Sequence, residues 1–237
     1  MKLALFFILL VIFLVSCTDN SNDPLVINQN FTEPNESIQT IVNFDIGDGP
    51  SVESNNIKLG SGSVELNNWI IVYGNYDNIR FNRNNVVLIT DAPKLDNETH
   101  VSLVLYQDIF PSDFVLDLKM ILNSQLRDVP NSWESGWILF NYIDDKNFYY
   151  FAFKTNGVEL GKVFNGKQEF LITKDLPKIS PKKVYRLKFI YDHGDLDIFV
   201  DNKIVIQTTI PYSYSNRIAL YSEDSNVDFL NIKVFKV

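Results

Sequence analysis

The chain is poor in the residues that usually do redox, metal and acid–base work near neutral pH. It has one cysteine, two histidines and two methionines in 237 residues. A lone thiol has no partner for an internal disulfide, so stability rests on a packed core. Two histidines exclude a His-rich metal centre by count. Basic residues are also short, with 21 Lys and Arg against 29 Asp and Glu and a formal net charge of −8. No basic stripe is left to neutralise phosphates, which argues against a nucleic-acid partner and against electrostatic docking on anionic lipid. Helical signals are missing as well. No long stretch carries the helical period with caps, so helix content is expected to be small.

Apolar and aromatic residues are plentiful. The hydrophobic fraction of 46% and the aromatic fraction of 14% can fill the core of one ordinary domain. Residues Met1 to Cys17 read MKLALFFILLVIFLVSC. Lys2 gives a short positive start. Leu3 to Leu14 is an unbroken apolar run, too short to span a bilayer comfortably and right for a signal-peptide core. Leu14-Val15-Ser16-Cys17 resembles the lipobox of prokaryotic lipoproteins. In that family the thiol is acylated and the chain is cut before the cysteine. The resemblance implies a lipoprotein signal over residues 1–17, with lipidated Cys17 holding the protein to a membrane on the extracytoplasmic side of the cell envelope. An uncleaved anchor with an incidental Cys17 is the alternative. Residues 18–40 are rich in Asn, Asp, Ser and Pro and read as a flexible tether. Residues 41–237 are expected to form a single domain.

That domain reads as strands and turns. Trp69–Tyr73, Asn85–Thr90, His100–Leu105 and Phe114–Met120 are of strand length, and the last two alternate. Trp137–Tyr142, Phe148–Lys154 and Val158–Phe164 are joined by Asp, Asn and Gly turns and read as a meander. Asn165-Gly166 starts another turn. Tyr185–Tyr191, Leu196–Val200, Ile204–Gln207, Arg217–Tyr221 and Val227–Val234 follow. Many short strands with short turns predict an all-β, two-sheet antiparallel sandwich, in which each strand buries one face.

Several segments resemble concanavalin A-like jelly-roll domains. Trp133–Tyr142 reads WESGWILFNY and Asn147–Lys162 reads NFYYFAFKTNGVELGK, like a "sGi-x-f" strand followed by a "YYf" hairpin. Asp197–Lys203, DIFVDNK, is similar to a "VdGk" hairpin of that group. Arg217–Ser222 and Val227–Val234 resemble its closing pair. The likeness covers residues 95–237 well and 41–94 loosely. The nearest groups within it are 3-keto-disaccharide hydrolase-type and laminin-G-like domains. Their Arg after the "Gi-x-f" strand is Asn141 here.

The motifs of the fold's enzymes are missing. No Glu-x-Asp-x-Glu string, no Arg-rich strand with a Gln-Ile-His partner and no Ser nucleophile elbow is present. What remains is an aromatic strip with a few polar groups, which suits a sugar: rings stack on its C–H face while amides, carboxylates and lysine meet its hydroxyls. Alternation groups Trp133, Ser135, Trp137, Leu139 and Asn141. It also groups Phe148, Tyr150, Ala152 and Lys154, and then Val158, Leu160 and Lys162 with Glu159 opposite. Trp137 reads as core and Trp133 as a loop-end residue. Expected ligand contacts are Trp133, Glu134, Asn141, Tyr150, Lys154, Lys162, Glu98 and His100, with Glu134 and His100 the candidates for catalysis. No cofactor is required. Jelly rolls of this kind often hold a structural calcium, and the resemblance points to Asp45 and Asp228 as its ligands. The leading expectation is a carbohydrate-binding module. The alternatives are a carbohydrate-active hydrolase or lyase, and a structural or protein-binding surface module.

Overall fold

A computed structural model describes residues 64–66, 69–73, 77–82, 85–90, 92–95, 97–107, 113–211 and 217–236. The signal segment with Cys17, the tether, Asp45 and the expected domain start at 41 lie outside the described residues. The strands are β1 (Val64–Leu66), β2 (Trp69–Tyr73), β3 (Asp77–Asn82), β4 (Asn85–Thr90), β5 (Val101–Tyr106), β6 (Phe114–Gln125), β7 (Gly136–Asp144) and β8 (Asn147–Lys154). They continue with β9 (Gly157–Phe164), β10 (Lys167–Lys174), β11 (Val184–Asp192), β12 (Asp195–Val200), β13 (Lys203–Thr209), β14 (Ala219–Glu223) and β15 (Ser225–Lys236). No helix occurs among the described residues.

The strands form two antiparallel sheets. One has eight strands in the order β1-β2-β5-β14-β7-β8-β9-β10, the other seven in the order β13-β12-β11-β6-β15-β4-β3. Alternation explains the layering. In β4, Val86 and Leu88 are fully buried while Val87 and Ile89 are only half-buried. In β6, Leu116, Leu118, Met120 and Leu122 face the other sheet. Between them, Asp117 points outward and binds Arg186 of β11, with Arg186 Nη2 2.5 Å from Asp117 Oδ2. Phe151, Phe153 and Phe189 meet across the layers, with Phe151 and Phe189 edge to face at 5.4 Å.

Tight turns set the registers. β7–β8, β8–β9, β9–β10, β11–β12 and β12–β13 are each joined by two residues. Asn165 (φ 50°) with Gly166 (φ 74°), and Asp201 (φ 50°) with Asn202 (φ 63°), take the left-handed backbone that two-residue hairpins need. The two closing strands do not pair with each other. β14 belongs to the eight-stranded sheet and β15 to the seven-stranded one, and the chain changes layer at Asp224, φ 40°.

Candidate functional site

The outer faces of the two sheets differ. On the seven-stranded sheet, β11 runs Val184, Arg186 and Lys188 outward between buried Tyr185, Leu187 and Phe189, as a solvated sheet should. The eight-stranded sheet breaks that pattern. Ile138 and Phe140 of β7 enter the core, yet their alternates Trp137 and Leu139 are also buried. They join Leu103 and Leu105 of β5, Tyr150 and Ala152 of β8, and Ala219 of β14 in a second apolar cluster. Trp133, Tyr73, Phe148 and Tyr221 pack against it, each partly exposed. Trp137 is therefore buried, but on this second face and not between the sheets. It stacks on Tyr150 at 4.9 Å and packs against Tyr221 at 5.2 Å.

Polar groups sit on both flanks of Trp137. On one flank, Glu159 accepts from Tyr150 Oη at 2.9 Å and from Lys154 Nζ at 2.5 Å. Gln168 Nε2 donates to the same Tyr150 oxygen at 2.8 Å. Burial, with the Glu159 charge added, pushes the Tyr150 phenol up, so it remains an O–H donor. On the other flank, Glu223 accepts from Trp133 Nε1 at 3.1 Å and from Tyr221 Oη at 2.8 Å. Burial raises the Glu223 carboxyl to about 7; the nearby Asp224 and Glu134 charges push the same way, while its two donors oppose them. A third polar point lies at the end of β7, where Tyr142 donates to Asp145. Burial first, and then that acid, raise the Tyr142 phenol.

The two flanking carboxylates do not form a catalytic pair. Register places Tyr221, Trp137, Ala152 and Glu159 in one row across β14, β7, β8 and β9. Three strand spacings separate its ends, roughly 14 Å, and Trp137 stands between. Glycosidases set their carboxylates about 5–9.5 Å apart.

The residues singled out from sequence fall in several places. Trp133, Tyr150 and Lys154 lie on this face. Glu134 is fully buried, held by Arg127 at 2.7 Å and by Asn131 Nδ2 at 2.6 Å. Burial still raises its carboxyl, against the Asn131 and Arg127 contributions. His100 is buried, and its backbone N–H binds Asp224 at 2.8 Å. The Glu98 carboxylate closes its own turn through Lys94 and Leu95 N–H groups at 2.9 and 3.2 Å. Asn141 is buried with φ 49°, and neither end of its side-chain amide has a partner. Lys162 shares its side of β9 with core residues Val158 and Leu160 and pairs with Glu169 at 3.0 Å. The strip takes Glu159 from β9 in its place, because Tyr150 is in register with Gly161.

Asp228 lies in β15 of the seven-stranded sheet, accepts from Asn123 Nδ2 at 2.7 Å and has its carboxyl raised by burial. It is not among the acid or His groups that converge. Among the described residues those are Asp113, Asp192 and His193, whose ligand atoms lie within 4.8 Å of one another. Asp192 and Asp113 raise the exposed His193 imidazole, so its positive charge is favoured between them. Sequence reading missed Glu223, Gln168 and Arg127, and it set Glu159 on the face opposite the strip. Only the Tyr221-x-Glu223 spacing hinted that an acid shares a face with an aromatic.

Two packed antiparallel sheets in this order define a concanavalin A-like jelly-roll sandwich. No protein-family model and no curated protein matches the chain. Solved structures do. The carbohydrate binding module CBM66 from Bacillus subtilis has a TM-score of 0.55 at 18% identity, covering 71% of this chain and 96% of that one. The Ca2+/Man2-bound exoplasmic/lumenal domain of VIP36 has a TM-score of 0.54 at 14% identity, covering 75% and 84%. The metal-free carbohydrate recognition domain of Emp46p has a TM-score of 0.52 at 11% identity, covering 71% and 88%. At these identities the likeness is one of fold.

Proposed function

We propose that this chain is a lipid-anchored, extracytoplasmic glycan-binding module whose binding face is the outer face of its eight-stranded sheet. The observation that carries the reading is the contrast between the two outer faces. One is charged and solvated; the other is lined with Trp137, Tyr150, Tyr221 and Trp133 and flanked by Glu159, Lys154, Gln168 and Glu223. Phe170 stands on the same side of edge strand β10, in register with Gly161 and 62% exposed. Its ring offers an aromatic plane beside the Gln168 amide, the pairing that pyranose rings use. The three structural neighbours are a carbohydrate binding module, a Ca2+/Man2-bound exoplasmic/lumenal domain and a carbohydrate recognition domain, which supports the same reading. The anchor rests on the Leu14–Cys17 signal.

A second reading, a hydrolase or lyase, has one observation in its favour: Glu223 is buried and titrates near 7. The detergent-solubilised full chain on a glycan array, alongside a reducing-sugar release assay, separates the two. Binding without release is expected. Release that is lost in Glu223→Gln would replace the binding reading with the enzyme. Binding of no glycan would leave a structural or protein-binding module.

A further inference from the structure

The corner where the chain changes layer holds an unbalanced set of buried charges. Glu134, Glu223 and Asp224 are all at or below 2% exposure. One guanidinium serves two of them, with Arg127 Nε 2.7 Å from Glu134 Oε1 and Nη2 2.7 Å from Asp224 Oδ2. Asp224 Oδ1 takes the His100 backbone N–H. Glu134 Oε2 is buried with no partner. Glu223 makes no ion pair among the described residues. Its oxygens are held by the two aromatic donors, Trp133 and Tyr221.

We propose that Glu223 is the positioning residue for Trp133 and works as a proton-controlled latch: ionised it holds the indole at the rim of the outer face, and protonated it loosens its hold. The two donors differ in a way that makes this work. An indole N–H only donates, whereas a phenol can donate or accept. When Glu223 gains a proton, Tyr221 can turn and accept it. Trp133 cannot reverse, and its bond falls from a charge-assisted to a neutral one, about half as strong. The groups facing Glu223 favour proton uptake. Asp224 of the β14–β15 corner and Glu134 before β7 repel its charge. Arg127 after β6 is already engaged by both. Tyr221 of β14 completes the surround, with Tyr73 of β2 beyond it. Burial lifts the carboxyl to about 7, so the transition falls at neutral pH.

The effect on ligand rests on the glycan reading above; the movement of Trp133 does not. The test follows tryptophan emission of the full chain in detergent from pH 5.5 to 8.5, with circular dichroism to confirm the fold. A transition centred near 7 is expected in the wild type. It should vanish in Glu223→Gln and in Trp133→Phe. Tyr221→Phe removes a donor to the charged form and should move the midpoint to higher pH, which keeps the test alive if Glu223→Gln fails to fold. Where a glycan binds, affinity should fall about fivefold below the transition in the wild type alone. An emission transition without any bound glycan would keep the latch and remove the glycan reading. A wild type with no transition, or a Glu223→Gln protein that keeps it, overturns the proposal.

Discussion

Tyr150 lies flat across Gly161, and a Cβ placed on that glycine would stand 2.3 Å from the phenol carbon Cζ and from the hydroxyl oxygen. The missing side chain is what lets the ring cross β9 and reach both Glu159 and Gln168. Gly161→Ala should therefore displace Tyr150 and open its link to Glu159. We expect a loss of about 1–3 kcal/mol in urea denaturation, the scale of overpacking. An unchanged midpoint would mean that the ring has somewhere else to go.

Arg127 holds two fully buried carboxylates, Glu134 and Asp224. Arg127→Met leaves both without a cation and should destabilise the domain by about 3–5 kcal/mol. The double variant Arg127→Met/Glu134→Gln should recover part of that loss, since one of the stranded charges is gone. Equal stability of the single and double variants in guanidinium melts would show that Glu134 does not depend on Arg127.

Strands with one polar face were legible in the sequence. β11 alternates throughout and β6 from Leu116 to Asn123, because only one side of each is buried there. β7 to β9 were legible as strands but not as faces. Seven consecutive residues of β7 are buried, so alternation could not say which side meets the other sheet. The same ambiguity put Lys162 on the strip in place of Glu159. β10 went unread because of its bulge between Phe170 and Ile172. Leu171 and Ile172 both pack on the core, while Phe170 and Thr173 pair with Gly161 and Glu159 on the other side. The Glu223 site had little local signal: Trp133 is 90 residues away, and the two meet because β14 pairs with β7, with Ser222 in register with Gly136.

Trp137 and Trp133 should part company on substitution. Trp137 is 8% exposed between Tyr150 and Tyr221. Trp137→Ala should cost about 3–5 kcal/mol of stability by leaving a cavity. Trp133 is partly exposed, so Trp133→Ala should leave a folded domain and weaken glycan binding by about 1–2 kcal/mol. Calorimetry of both variants against the same glycan checks this. A folded Trp137→Ala protein beside an unfolded Trp133→Ala protein would invert the assignment.

Stability should rise as pH falls through neutrality. The ordinary value of the Glu223 carboxyl is 4.5, and in the folded chain burial, with Asp224 adding to it, lifts the group to about 7. Between those two values the folded protein binds more protons than the unfolded chain. Unfolding free energy must then decrease with increasing pH in that window and level off above it. Raised carboxyls at Glu134, Asp197 and Asp228, each chiefly through burial, act in the same direction. So does His193, whose raised imidazole, held first by Asp192, contributes at low pH and is lost as pH climbs through its folded value. For Glu223 alone the gap is worth at most about 3 kcal/mol. Urea midpoints at pH 5.5 and 8.5 should differ in favour of the acid side. Glu223→Gln should be more stable than the wild type at pH 8.5, and by a smaller margin at pH 5.5, because it carries no charge to desolvate at either. Wild-type stability that increases from pH 5.5 to 8.5 would mean that Glu223 folds with its charge compensated.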